Sequence, residues 1–156
     1  MRVLFILGFA ACGKSTYISK IRQTGDEVIE TGDIVRELTS KEQRVFNRSL
    51  DDNIMKVLRS RIKQSKAKRI IITSARNMQI VEDIRDFVGR ENADIIILKT
   101  SYSERLKRFN SRNADKDDGL TYDDVLRGDR KLGLDEMILK YTHDYGIDKH
   151  IKIIPW

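Results

Sequence analysis

The stretch Gly8-Phe9-Ala10-Ala11-Cys12-Gly13-Lys14-Ser15-Thr16 sets two glycines five positions apart and follows the second with a lysine and two hydroxyls. The apolar run Val3-Leu4-Phe5-Ile6-Leu7 precedes it directly. A buried strand therefore ends at Gly8, and a helix starts near Gly13. The exposed N–H groups of such a turn and helix start cradle phosphate oxygens. In the G-x-x-x-x-G-K-[ST] pattern the lysine reaches the β- and γ-phosphates and the next hydroxyl faces Mg²⁺. Lys14 and Ser15 take those places. Gly8, Ala10, Ala11, Cys12, Gly13 and Thr16 complete the cradle. The chemistry expected here is binding of a nucleoside triphosphate with Mg²⁺.

Other residues with chemical potential follow later strand-like runs. In Thr31-Gly32-Asp33-Ile34-Val35-Arg36, Gly32 permits a turn and Asp33 can cap the next helix. Arg36, one turn on, shares a face with Asp33 and can clamp a phosphate through its planar fork. Arg76 closes Thr73-Ser74-Ala75-Arg76 and is expected to point into the same cleft. Arg105, Arg108 and Arg112 recur at helical spacing, and Arg127 and Arg130 form a second pair beyond a polar loop. Phosphoryl transfer spreads negative charge over equatorial oxygens, and arginines closing over it stabilise that charge.

The elements needed to position these groups are legible. Residues 3–7, 27–31, 69–73, 94–98 and 147–154 read as strands, the third and fourth as runs buried on both faces. Residues 14–22, 41–64, 80–90, 103–112 and 122–141 read as helices, the last broken at Gly128 or Gly133. Alternation of strand and helix predicts an α/β fold with a five-stranded parallel sheet and helices on both faces. Ligands then gather at the carboxyl ends of the strands, beside a topological switch point. Residues 113–121 read as a mobile loop. The chain is read as one domain, 1–156, with an acceptor-binding helical part at about 32–66 and a lid at about 112–128.

The chain has 156 residues, 35% of them charged, with a net charge of +6. That excess suits polyanionic ligands, although a solvated Lys/Arg surface accounts for it equally simply. Cys12 is the only cysteine, so no internal disulfide forms, and a reducing cytoplasmic setting is expected. The N-terminal run ending at Cys12 imitates a lipoprotein signal, yet cleavage there would destroy the phosphate loop. No later stretch reaches the length of a membrane helix.

The chain resembles the P-loop nucleoside monophosphate kinases over nearly its whole length. Adenylate kinases carry Thr-Gly-Asp-x-x-Arg after strand two, as at residues 31–36. The segment Arg127-Gly128-Asp129-Arg130 resembles the lid-exit helix of small archaeal and viral relatives of dephospho-CoA kinase. The resemblance implies a three-layer P-loop kinase fold with a short mobile lid. It also implies transfer of the ATP γ-phosphoryl to a (deoxy)nucleoside 5′-monophosphate. Arg36 and Arg76 would bind the acceptor, and Arg105, Arg108, Arg112, Arg127 and Arg130 would serve donor and transition state. The sequence departs from the family in two places. The acidic residue after strand three is missing, so Ser15 is left with Thr73, Ser74 or Asp33 around the metal. Position 11 is Ala where many of these kinases have Gly. Two other readings stay open: a kinase acting on a hydroxyl, such as a nucleic acid 5′ end or a dephospho-CoA-like alcohol, with Asp33 as base, and a non-catalytic P-loop NTPase. Monomer and homodimer both fit. Arg44, Asn47, Arg48, Asp51 and Asn53 are unranked candidates for acceptor selectivity.

Overall fold

The computed structural model describes residues 1–112 and 114–156. Asn113, at the start of the expected lid, lies outside the described residues. Strands β1 (Arg2–Leu7), β2 (Glu27–Glu30), β3 (Arg69–Thr73), β4 (Ala93–Lys99) and β5 (Ile151–Pro155) form one sheet in the order β2-β3-β1-β4-β5. Each neighbouring pair is parallel. The predicted five-stranded parallel sheet is therefore present. The β-branched runs of β3 and β4 suit strands flanked on both sides, which bury both faces.

Helices cover both of those faces. Phe5, Leu7, Ile70, Ile72, Ile95 and Ile97 pack toward α2 (Thr31–Thr39), α3 (Asp51–Gln64), α4 (Met78–Val88) and α7 (Leu134–Asp144). Leu4, Ile6, Ile71 and Leu98 point the other way, onto Tyr17 and Ile18 of α1 (Lys14–Ile21). This alternation follows from the two-residue period of a strand. Trp156 closes that second layer: its ring meets Tyr17 edge-on at 5.2 Å, and its indole N–H donates to the Gly13 carbonyl at 3.2 Å. Helices α5 (Tyr102–Ser111) and α6 (Tyr122–Leu132) pack around Ala10 through Phe109, Tyr122 and Val125.

Several boundaries differ from the sequence reading, each for a local reason. β2 ends at Glu30, whose side chain accepts from the Gly32 N–H and caps α2. Asp33, expected to be that cap, sits inside the first turn of the helix. Residues 41–47 are not helical. A 3-10 turn at Arg48–Leu50 leads into α3 instead. The Val45 and Asn47 carbonyls accept from Arg76 rather than from helix N–H groups. The long helix breaks at Gly133, which adopts φ 98° between α6 and α7, and Gly128 lies within α6. β5 begins at Ile151, because residues 144–150 are drawn into turns.

One buried ion network ties α4 to the last crossover. Arg85 is 1% exposed and bonds Glu82 at 3.2 Å and Asp148 at 2.8 Å. Tyr141 of α7 donates to the same Glu82 at 2.8 Å. Removing one member of a buried pair leaves its partners uncompensated. Arg85→Ala is expected to cost about 3 kcal/mol of unfolding free energy in urea titrations. A loss below about 1 kcal/mol, the range of a surface pair, would show that Glu82 and Asp148 rehydrate freely.

Candidate functional site

The turns after β1, β2 and β3 line one cleft of about 450 Å³. The register explains the convergence: Ile6 pairs with Thr73, and Thr73 pairs with Glu30, so three strand ends meet side by side. β1 lies between β3 and β4, which makes the turn after β1 the switch point.

That turn is the phosphate loop. Gly8 and residues 10–16 line the cleft. Lys14 Nζ donates to the carbonyls of Gly8 at 3.2 Å and Phe9 at 3.3 Å, which centres its charge on the loop. Ala11 adopts φ 63°, a left-handed conformation that costs a non-glycine residue about 1 kcal/mol. Glycine is the cheaper residue there. Cys12 is 1% exposed, and its thiol packs under the loop, 3.7 Å from Lys14 Nζ. The loop is clamped from outside. Tyr122 donates to the Ala10 carbonyl at 2.7 Å. Arg105 in turn donates to the Tyr122 hydroxyl at 2.9 Å and lies 4.6 Å from the Phe9 ring centre. Arg105 thus braces the loop and is not among the cleft-lining residues.

Opposite the loop stand Arg36, Arg44 and Arg76. Arg36 bonds Glu30 at 2.9 Å and Asp33 at 2.5 Å, and these carboxylates outweigh burial to raise its pKa. Arg76 is 7% exposed and reaches buried Asp51 at 3.3 Å, while burial lowers its pKa. Asp51 also accepts from Asn77 at 2.9 Å and Arg48 at 3.3 Å. Of the unranked candidates, Arg44 lines the cleft, Asp51 and Arg48 support Arg76, and Asn47 caps a turn.

The end of α5 and the 3-10 turn Asp115–Asp117 roof this space. Arg108 and Arg112 of α5 and its C-cap line the cleft, as does Lys116. Arg108 donates to the Cys12 carbonyl at 2.9 Å. Asp117 joins the roof to the wall that carries Arg44, accepting from Arg44 and Arg112 at 2.8 Å each. Burial pushes the Asp117 carboxyl up, but the two arginines overcome it and hold the pKa below its ordinary value.

The structure does not bring every expected residue into the cleft. Asp33 is 61% exposed and lies outside the lining. Arg127 pairs with Asp124 and Arg130 pairs with Asp135, and both arginines are about two-thirds exposed, at 66% and 68%. Their neighbour Asp129 points inward instead. A sequence signal for this exists: Tyr122, Val125, Asp129 and Leu132 form one helical stripe, which turns positions 127 and 130 outward. Glu30, Phe46, Lys116 and Asp129 are lining residues that motif reading passed over.

The carboxylates in the lining are Glu30 and Asp129. No group of three His, Cys, Asp or Glu suited to a metal occurs among the described residues. Thr73 offers a different fit. It is 5% exposed, lines the cleft, and its Oγ1 has no hydrogen-bond partner. A buried hydroxyl left so is completed by a ligand or by a hydrated cation. Mg²⁺ is held in this manner, through few side chains, several waters and the nucleotide's own phosphates. Ser15 and Thr73 therefore fit Mg²⁺, whereas Asp33 is placed away from it.

Burial raises the Asp129 carboxyl pKa above its ordinary value, against the pull of Arg44, Lys14 and Arg76. Its ionised form thus costs stability above the ordinary carboxylate range, and that cost vanishes as pH falls below it. The stability advantage of Asp129→Asn over wild type, read from urea unfolding, is expected to be absent below the ordinary carboxylate range and to grow as pH rises from it toward neutrality. A difference that stays flat over that rise in pH would contradict the burial argument.

Comparison with known proteins supplies the relationship. A family model described as an AAA domain matches residues 4–127. No curated protein matches the chain. A shikimate kinase from Bacteroides thetaiotaomicron superposes with a TM-score of 0.59 at 12% identity, covering 99% of this chain and 86% of that one. A sugar kinase from Janibacter sp. HTCC2649 superposes with a TM-score of 0.65 at 17% identity, covering 100% of this chain and 84% of that one. At such identities the two likenesses show a shared fold, that of P-loop kinases. With most of its length matched by the family model, the chain belongs to the AAA domain family.

Proposed function

We propose that the protein is an ATP-dependent phosphotransferase that moves the γ-phosphoryl of ATP to a (deoxy)nucleoside 5′-monophosphate, working on soluble nucleotides in the cytoplasm. One observation carries the reading: a single cleft sets the phosphate loop against Arg36, Arg44 and Arg76. A donor polyphosphate and an anionic acceptor would share that space. The two kinases of like fold support phosphoryl transfer in general, and the motif order supports the monophosphate acceptor.

The chemistry asks little covalent work of the protein. The N–H groups of residues 10–16 and Lys14 would hold the donor phosphates. Arg36 and Arg76 would hold the acceptor phosphate, whose oxygen is already a nucleophile and needs no base. Arg108, Arg112 and Lys116 close over the reacting groups, oppose the charge that builds there, and keep out water that would hydrolyse ATP. Ser15 and Thr73 would hold Mg²⁺, which would supply charge neutralisation to the donor phosphates.

A hydroxyl acceptor is the second reading, favoured by the names of the two kinases of like fold, one for shikimate and one for a sugar. It needs a base. Asp33, the expected base, is exposed and bound to Arg36 outside the lining, so Glu30 or Asp129 would have to serve. The cationic acceptor side favours the monophosphate.

Incubation with Mg·ATP and a panel of NMPs, dNMPs, dephospho-CoA, shikimate and a 5′-hydroxyl oligonucleotide tests these readings. Phosphorylated nucleoside monophosphate with matching ADP is expected. Product from a hydroxyl acceptor alone would overturn the proposal, and no acceptor-dependent ADP at all would indicate a non-catalytic NTPase. Arg36→Ala is expected to raise the acceptor KM at least about tenfold, as loss of a charge-assisted hydrogen bond does, and to leave the ATP KM unchanged. Asp33→Asn is expected to change kcat less than about threefold, because its ion pair is exposed. A loss of about a hundredfold would restore Asp33 as a base.

A further inference from the structure

The acceptor half of the cleft has an apolar wall that a phosphate does not need. Val35, Val45, Phe46, Leu132 and Leu134 line it, beside Arg36, Arg44 and Arg76. The wall is partly covered core: Val35 and Leu134 belong to the main cluster, and Val45 packs against it. Phe46 and Leu132 join none of the apolar clusters, and Phe46, unlike the buried Leu132, is half-buried and rests on Gly128 of α6. A Cβ at position 128 would lie 2.3 Å from the Phe46 ring carbon Cδ1 and 2.4 Å from Cε1. No side chain fits between them, so the ring lies directly on the helix backbone.

Gly128 carries a cost that this contact repays. Glycine in a helix interior is less favourable than alanine by about 1 kcal/mol, and φ here is not in the left-handed range. The residue is therefore not required by the turn of the backbone. It is required by the approach of the ring. The result is a half-buried aromatic ring in a cleft whose other lining side chains are charged, polar or aliphatic.

We propose that Phe46, seated on Gly128, is the stacking platform for the nucleobase of the acceptor, and so the residue that makes the acceptor a nucleotide and not a simple phosphate ester. The inference rests on the monophosphate kinase reading. The division of labour follows from the chemistry of the wall. Arg36 and Arg76 hold the phosphate end, and the ring covers one face of the planar base at the other end. Stacking on an aromatic face tolerates any base, since each has a π-face. Phe46 thus selects for a base without choosing among bases.

The test compares two acceptors that differ only in having a base, a nucleoside 5′-monophosphate and ribose 5-phosphate. Equilibrium binding is measured by calorimetry with the donor site filled by a non-hydrolysable ATP analogue, and turnover is measured in parallel. Wild type is expected to bind the monophosphate at least about tenfold tighter than ribose 5-phosphate, in line with one aromatic stack. Phe46→Ala is expected to erase most of that difference by weakening only the monophosphate, Phe46→Tyr to keep it, and Gly128→Ala to mimic Phe46→Ala by displacing the ring. Equal weakening of both acceptors in Phe46→Ala, or no weakening of either, would overturn the inference and leave Phe46 a packing residue. Base-dependent binding that needs Phe46 but comes with no turnover would overturn the kinase reading and keep the platform. Turnover of both acceptors with equal KM would keep a phosphate-acceptor kinase and remove the platform.

Discussion

Like charges crowd the cleft. Arg36, Arg44, Arg76, Arg108 and Arg112 line it together with Lys14 and Lys116. Left alone, such a cluster repels itself and the side chains swing out to water. The protein holds most of them by carboxylates at or behind the walls. Glu30 and Asp33 hold Arg36, Asp51 holds Arg76, Asp117 holds both Arg44 and Arg112, and Glu104 holds Arg108. Lys116 shows what remains of the strain: burial and the charges of Arg44 and Arg112 lower its pKa. An arriving polyphosphate meets donors already fixed in direction, which lowers the entropy cost of binding.

The same tethers set the architecture around the site. Asp51 starts α3 and also accepts from Asn77, whose side-chain oxygen caps α4 through the Ile80 N–H. One buried carboxylate thus fixes a cleft-lining arginine and the junction of two helices. Asp117 works likewise between the roof and residues 41–47, aided by the Arg44 N–H bond to the Lys116 carbonyl. Arg44 on one wall and Arg112 under the roof are joined through this residue. On the donor side, Tyr122 and Arg105 link α6 and α5 to the phosphate loop. These bonds, with that from Arg108 to the Cys12 carbonyl, tie the elements around the roof to the loop.

Legibility varied with the range of the interaction that decided each feature. The phosphate loop was plain because its residues act within nine positions, and the strand before it is a single apolar run. The buried runs of β3 and β4 were plain for the same reason. Residues 41–47 misled, because Phe46 and Leu50 continue the helical stripe of α3 in sequence. In space, the carbonyls of 45 and 47 serve Arg76, about thirty positions away. The arginines at 127 and 130 drew attention by charge, yet the stripe through Val125 and Leu132 turns Asp129 inward.

The sequence by itself determined the donor cradle, the parallel α/β order and the presence of phosphate-seeking arginines, since these depend on local periodicity and turn chemistry. Tertiary structure decided which arginines face the cleft, that Asp33 stands outside it, and that Glu30, Thr73 and Asp129 stand within. It also put Phe46 on Gly128. Those outcomes depend on strand register and on contacts across more than twenty positions. A side chain's direction at a strand end or on a helix is set by what packs behind it, and that partner is not adjacent in the chain.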